Sequence, residues 1–153
     1  MCSSDLAKAV QIKTTTIATG LWHPWSLAWL PNGDMLVTER NGKVRRVRDG
    51  RLDAEPLGGV PAVHSVRLSG LMEVLPHPNF AQNQFVYLTY TKDVGPDQVA
   101  TALARGKLVG NQLTEVKDLL VCDSWAGDGG SGSRLAWGKD GMLYMTTGAS
   151  NGN

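Results

Sequence analysis

The sequence predicts an all-β chain that forms part of a β-propeller, about three four-stranded antiparallel blades. A hairpin-like unit occurs near the start of the chain and again near its end, and a weaker copy lies between them. The copies recur at roughly 50 residues, which is the size of one propeller blade. Eighteen glycines and seven prolines are scattered along the chain, and this favours many short strands joined by tight turns.

The two clearest copies of the unit are residues 26–38 and 134–146. Each reads as an apolar run, a turn with a glycine, and a second apolar run, which is typical of a β-hairpin. Leu-Ala-Trp at 27–29 matches Leu-Ala-Trp at 135–137, an offset of 135 − 27 = 108. Because Trp29 and Trp137 are equivalent in the repeat, we predict that they pack between blades and do not stack on a ligand.

The middle copy begins at residues 70–74 and continues with 85–89. Aligning Thr89 with Thr38 gives an offset of 89 − 38 = 51, close to half of 108. Turn dipeptides, Asn-Gly at 41–42 and Gly-Asn at 110–111, separate further apolar runs, and both residue types tolerate the positive φ that tight hairpins need. Each period therefore supplies about four antiparallel strands.

A four-stranded blade cannot bury both of its faces alone, so blades stack into rings of four to eight. Three periods do not close such a ring. We therefore expect a longer native protein, or a second copy, to cover the open edges. The segment Cys2 to Leu6 matches one translation of a common sequencing adapter, so residues 1–10 are expected to be a disordered or non-native tail and 11–153 the propeller.

The composition excludes some classes of partner. A net charge of +1 gives no reason to expect binding to nucleic acid or to a membrane surface, and no apolar run is long enough to span a bilayer. Basic residues cluster at 43–51, but in a strand they point to both faces. A solvated blade surface is therefore favoured over a binding patch.

Two segments are expected to converge at the central channel, residues 64–70 and 123–134. The second is glycine-rich and includes two acids, three serines and one arginine; its alternative interpretation is a flexible loop between blades. Trp125 is the one tryptophan considered for a ligand. Among the histidines, His23 and His77 look like turn residues, and His64 has no evident acid or nucleophile partner in its own segment.

The motifs at 24–33, 37–44, 70–74, 77–80, 104–108 and 132–135 resemble the soluble PQQ-dependent glucose and aldose-sugar dehydrogenases, which are six-bladed propellers. The resemblance implies about three blades of an expected six. It also implies oxidation of a sugar or related alcohol, pyrroloquinoline quinone (PQQ) and calcium as cofactors, and a periplasmic or secreted location. No metal ligands are assigned within this chain, because most of the cofactor's ligands fall on later blades in that family.

The chain departs from the family at three polar positions. The histidine that takes the proton from the sugar falls at Gly130, and the expected glutamine and aspartate fall at Leu68 and Ala149. Glycine has no side chain to accept a proton, so the catalytic residue is unassigned.

Polar residues close to these positions are the remaining candidates. Arg67, Ser131 and Arg134 are predicted to bind the cofactor, since arginine suits an anionic quinone. Asp128 is a candidate replacement base. The structural alternatives are that Asp128 caps a turn and that Arg134 forms an ion pair.

Three hypotheses about function follow from these residues. The first is a PQQ-dependent sugar dehydrogenase whose 153-residue portion is inactive by itself. The second is a non-catalytic propeller that binds a carbohydrate or a protein, and the third is a calcium-dependent lactonase-like hydrolase.

Overall fold

The computed structural model describes residues 12–127 and 131–148. Within these ranges the regular secondary structure is almost all β-strand, as predicted. The elements are β1 (Pro24–Trp29), β2 (Met35–Glu39), β3 (Lys43–Arg48), β4 (Arg51–Leu52), β5 (Leu71–Pro76), α1 (Phe80–Asn83), β6 (Phe85–Gly95), β7 (Gln98–Val109), β8 (Gln112–Val121), β9 (Trp125–Ala126), β10 (Ser133–Trp137) and β11 (Leu143–Thr147).

The first sheet is a four-stranded antiparallel meander in the order β1-β2-β3-β4. Its turns follow the sequence pattern. Asn32 Oδ1 accepts a hydrogen bond from the backbone N–H of Asp34 (3.1 Å) at the first turn. Gly42 has a φ of 92° at the second, so the Asn-Gly dipeptide supplies the positive φ required there.

The second sheet runs β5-β6-β7-β8, and the two-residue strand β9 pairs with β7. Between β5 and β6 the tight turn of the first sheet is replaced by α1, and Gln84 closes this helix with a left-handed φ of 57°. This longer connection explains why the middle copy looked weaker in the sequence.

The third copy of the unit forms a two-stranded sheet, β10-β11, in register from Ser133–Thr147 to Trp137–Leu143. The propeller class of fold is confirmed: the first sheet has the four predicted strands, and the second has four and the short strand β9. The third is present in the described residues as its first hairpin, because these residues end directly after β11.

The sheets stack with β5 between β1 and β10. One apolar core lies where the first and second sheets face each other and includes Leu36, Val44, Leu71 and Val86. A smaller core joins the second sheet to the hairpin through Leu135 and its neighbours. The three initial strands therefore lie side by side, as the innermost strands of propeller blades do.

The three arginines of β3 form ion pairs. Arg45 pairs with Glu39 (3.4 Å), and Arg46 pairs with Asp34 (3.5 Å). Arg48 Nη2 pairs with Asp53 (2.5 Å). The predicted solvated surface holds for Arg48, which is 52% exposed, whereas the side chains of Arg45 and Arg46 are only 12% and 11% exposed. No helix in the described ranges is long and apolar enough to cross a membrane.

Candidate functional site

Each of the three sheets presents one equivalent residue on its innermost strand. In every case the backbone N–H of that residue donates to the hydroxyl of a threonine on the next strand. The three pairs are Ser26–Thr38 (3.0 Å), Glu73–Thr89 (3.1 Å) and Arg134–Thr146 (3.1 Å). A repeated contact of this kind places the three side chains at the same level of neighbouring blades.

The side chains of Ser26, Glu73 and Arg134 form one polar cluster. The Ser26 hydroxyl donates to the Glu73 carboxylate, and Arg134 Nε pairs with Glu73 Oε2 at 2.6 Å. Glu73 is buried, with 3% of its surface exposed, so its charge is compensated from both neighbouring blades.

Arg134 is the most accessible member of this cluster. Its side chain remains 73% exposed even though Nε is engaged with Glu73. It borders two surface grooves of about 490 Å³ and 870 Å³. The structural alternative for Arg134, an ion pair, is therefore observed. Its role in cofactor binding stays a prediction that this exposure allows.

The two predicted loop segments meet at Thr91 on β6. The His64 backbone N–H donates to the Thr91 carbonyl oxygen (2.9 Å), and the Thr91 hydroxyl donates to Ser131 Oγ (2.8 Å). Ser69 Oγ lies 3.5 Å from the same Ser131 oxygen. Thr91 is fully buried and was not predicted from the sequence. Its alternation with Thr89 along one strand is the pattern that could have indicated it.

Ser131 takes part in this contact with a buried side chain that is 8% exposed. Its hydroxyl ties the loop before β10 to the second sheet. Whether it also reaches a cofactor stays a prediction. The other loop positions named from the sequence, Asp128 and Gly130, lie outside the described residues.

Arg67 lies on the first segment, which is fixed to the first sheet. Its backbone has a φ of 53°, and its carbonyl oxygen accepts a hydrogen bond from Arg40 Nη1 (2.5 Å). Gly70 follows with a φ of 152°, and a Cβ there would collide with the Arg40 carbonyl, so only glycine fits. The exposed Arg67 thus precedes β5 at the same end of the sheets as Ser131.

His64 has an acidic partner, contrary to the expectation from its own segment. His64 Nδ1 lies 2.7 Å from Asp93 Oδ1, and Asp93 is near the end of β6. No sequence pattern links the two residues, because 29 residues separate them and only the return of β6 brings the carboxylate back to the segment.

Trp125, the tryptophan considered for a ligand, lies close to this pair. It pairs with Val99 in β7, and Val99 pairs on its other side with Asp93. Its indole Nε1 is buried and has no acceptor among the described residues.

No group of three or more histidine, cysteine or acidic side chains that could hold a metal ion occurs within residues 12–127 and 131–148. The candidate site described above combines cationic, hydroxyl, imidazole and carboxylate groups.

Comparison with known proteins agrees with this architecture. The model of the family "Glucose / Sorbosone dehydrogenase" matches residues 21–153. An uncharacterised protein of Synechocystis is 41% identical over 93% of the chain, and the aldose sugar dehydrogenase YliI of Escherichia coli is 32% identical over 99% of it. The chain spans 36% and 42% of the lengths of these two relatives.

Solved structures show the same similarity. The PQQ-bound form of an aldose sugar dehydrogenase from Streptomyces coelicolor superposes with a TM-score of 0.75 at 32% identity, covering 90% of this chain and 41% of that one. The resemblance drawn from the motifs is confirmed, and the chain belongs to the glucose/sorbosone dehydrogenase family.

Proposed function

We propose that the protein to which this chain belongs oxidises a sugar or a related alcohol and uses PQQ as the electron acceptor. The observation that carries the proposal is the position and exposure of Arg134. It lies on an innermost strand, is fixed by the buried carboxylate of Glu73, and remains 73% exposed. A cation fixed and accessible in this way suits an anionic cofactor.

The residues present fit PQQ in charge and in donor chemistry. PQQ is a tricarboxylate, and Arg67 and Arg134 would hold its carboxylates at this end of the strands. The indole N–H of Trp125, which has no acceptor among the described residues, is a further donor. When bound, PQQ supplies a two-electron acceptor for the substrate's hydride. We place the calcium ligands on further blades, by analogy with the family.

We also propose that further blades of the same ring cover the exposed side of β1 in the first sheet. Leu27 and Trp29 are 58% and 60% exposed on that face, whereas their equivalents in β10 pack against the second sheet. The relatives are more than twice as long as this chain, which leaves length for those blades. With part of the site elsewhere, the 153-residue chain is inactive alone.

Two further expectations belong to the same proposal. The substrate is a small sugar or alcohol that reaches the end of the innermost strands. The location is the periplasm or the outside of the cell, as the resemblance to the sugar dehydrogenases implies.

The test uses the longer protein that carries this segment, with PQQ and calcium added. We expect dye reduction with at least one aldose. Arg134→Gln should weaken PQQ binding about tenfold, which corresponds to the loss of one charge-assisted hydrogen bond. Arg48→Gln is the matched control, because Arg48 is paired with Asp53 on the first sheet and should leave PQQ binding unchanged.

The outcomes separate the competing functions. Absence of both PQQ binding and turnover would overturn the proposal. Calcium-dependent hydrolysis of lactones would favour the lactonase-like alternative, and sugar binding without any turnover would favour a non-catalytic propeller. A dimer of the 153-residue chain whose contact is lost in Trp29→Ala would place a second copy on the open face.

A further inference from the structure

We propose that residues 12–18 form a strand of the blade that precedes the first sheet in the closed ring. The inference rests on the ring described under the proposed function and names the part of this chain that belongs to its last blade. That blade would then be built from two distant parts of one protein, this N-terminal segment and strands that follow residue 153.

The first argument is the composition of the segment and its lack of a partner strand. Residues 12–18 read Ile-Lys-Thr-Thr-Thr-Ile-Ala, and their β-branched side chains are typical of strands. Within the part of the chain that the structure describes, they pair with no strand. Ile12 and Ile17 are 84% and 49% exposed. A segment of this kind has the properties of an edge strand that still needs a sheet.

The second argument is the position of the N-terminal segment in the repeat. Val37 of β2 corresponds to Met145 of β11 at the repeat offset of 108. Met145 packs on the core that contains Tyr87 of the second sheet. Val37 instead lies in a core against which Ala18 and Leu21 pack. The N-terminal segment therefore occupies, on the first sheet, the place that the preceding blade occupies on the third copy.

The third argument is the groove beside this segment. The groove of about 870 Å³ is lined both by residues 16–18 and by Leu27 and Trp29 of β1. In the third copy the equivalent of Trp29 is covered, and the indole Nε1 of Trp137 donates to the Pro76 carbonyl oxygen (3.1 Å). A sheet that covers β1 in the same way fills the groove and lies next to residues 12–18.

A blade of the same ring is the occupant that the repeat favours. Leu27 and Trp29 have the residue types and repeat positions of Leu135 and Trp137, which pack on the second sheet beside Tyr87. A preceding blade with a similar apolar face would therefore cover them. The relatives are more than twice as long as this chain, which leaves length for that blade.

Hydrogen exchange tests the pairing directly. In the longer protein that carries this segment, some backbone N–H groups of residues 13–18 should exchange at least about tenfold more slowly than in the 153-residue chain, because they donate to a neighbouring strand there. The backbone N–H of Leu57 is the internal control, since it donates to the Val44 carbonyl oxygen in this chain already (2.8 Å). Equal exchange of residues 13–18 in the two proteins would overturn the inference.

A proline variant tests the same strand by its stability. Alternate N–H groups of an edge strand point away from the sheet, so Thr14 and Thr15 are both changed to proline, which removes one donor of each direction. The midpoint of thermal unfolding should fall by at least about 2 °C in the longer protein and stay unchanged in the 153-residue chain. The matched control changes both threonines to serine, which keeps the N–H groups. An equal change in the two proteins would contradict the inference.

The alternative occupant is a second copy of the chain. If residues 13–18 of the 153-residue chain become protected only as its concentration is raised, and light scattering shows a dimer, the segment pairs with a second copy and the inference is wrong. These measurements need neither PQQ nor sugar. Failure of the longer protein to bind PQQ would overturn the proposed activity and leave the strand assignment standing, whereas unprotected residues 13–18 in an active protein would overturn the strand assignment alone.

Discussion

Two strands with the same Leu-Ala-Trp sequence have opposite patterns of burial. In β1, Leu27 is 58% exposed and Ala28 is buried, at 8%. In β10, the equivalent Leu135 is buried, at 6%, and Ala136 is exposed. The residue types and the hairpins are the same, so the difference in burial comes from the sheets that pack against each strand.

The reason is the side on which each strand has a packed blade. Ala28 faces the second sheet, which follows it in the chain, and joins the large core there. Leu135 and Trp137 also face the second sheet, but that sheet precedes them. One face of the repeated hairpin therefore packs against the preceding blade, and the opposite face packs against the following blade. On this outward face of the first sheet only β1 is uncovered, at Leu27 and Trp29, because Met35, Val37 and Val47 are buried against Ala18, Leu21 and Leu52.

The largest expected loss of stability is for a substitution at Leu135. Leu135→Ala removes a side chain packed against Tyr87 and Leu103 and should lower the free energy of unfolding by about 2–4 kcal/mol. Leu27→Ala should change it by less than about 0.5 kcal/mol, because Leu27 is exposed here. Urea unfolding of the two variants checks this. Equal losses would mean that the open face of β1 is covered in solution.

The second effect concerns the repeated threonine contact. Thr89 is fully buried, and Thr89→Val leaves the N–H of Glu73 without its hydroxyl acceptor, at a cost of about 1–3 kcal/mol. Thr146→Val removes the same contact to Arg134 at an exposed position, so its cost should be below about 0.5 kcal/mol. Thermal unfolding of both variants gives the comparison, and a larger loss for Thr146→Val would contradict it.

The third effect separates the two tryptophans. Trp137 Nε1 donates to the Pro76 carbonyl oxygen (3.1 Å), and the ring packs edge-on against Tyr87. Trp137→Phe should cost about 1 kcal/mol through loss of that hydrogen bond. Trp29→Phe should be nearly neutral in this chain. In the longer protein, the proposed ring predicts that Trp29→Phe lowers the free energy of unfolding about as much as Trp137→Phe does. No change for Trp29→Phe in that protein would count against a closed ring of blades.

The smallest effect is a pH dependence at the turn of the third copy. Asp140 corresponds to Asn32 (140 − 32 = 108), and both accept a hydrogen bond from a backbone N–H two residues later. Donation by the Met142 N–H and then by the Tyr144 hydroxyl lowers the pKa of Asp140 below its ordinary value. Because the folded pKa is the lower one, the stabilisation is present above the unfolded pKa, near 3.9, and is lost as the pH falls through the folded value.

Asp140→Asn should remove this contribution and make the turn titrate like that of Asn32. The measurement is urea unfolding at several pH values between about 5 and 3. Tyr144→Phe should remove part of the same dependence, since one donor remains. An unchanged pH profile in Asp140→Asn would show that this carboxylate has no net effect on folding.

Local patterns predicted most of the strands and the turns between them. The Asn-Gly dipeptide at 41–42, the alternation of apolar residues and the offset of 108 are all local or repeated features, so they can be read without a partner strand. The convergence of segments 64–70 and 123–134 was also predicted from the repeat, because equivalent loops of neighbouring blades lie at the same end.

The candidate site could not be predicted from local patterns, because its contacts join residues that are far apart in the sequence. Thr91 and Asp93 belong to no motif, and their roles depend on β6 returning beside the segment that contains His64. The ion pair between Glu73 and Arg134 likewise joins two blades, 134 − 73 = 61 residues apart in the sequence. Such pairs leave no spacing pattern, since the loop lengths between blades can vary without disturbing the contact.

The sequence by itself determined the β class, the repeat and the family, because these depend on local periodicity and on motifs that stay in register. Only the tertiary structure decided which copy of Leu-Ala-Trp is buried and which polar side chains meet. Burial and pairing are properties of surfaces brought together by folding. The same leucine is core in β10 and surface in β1 because just one of them has a blade against it.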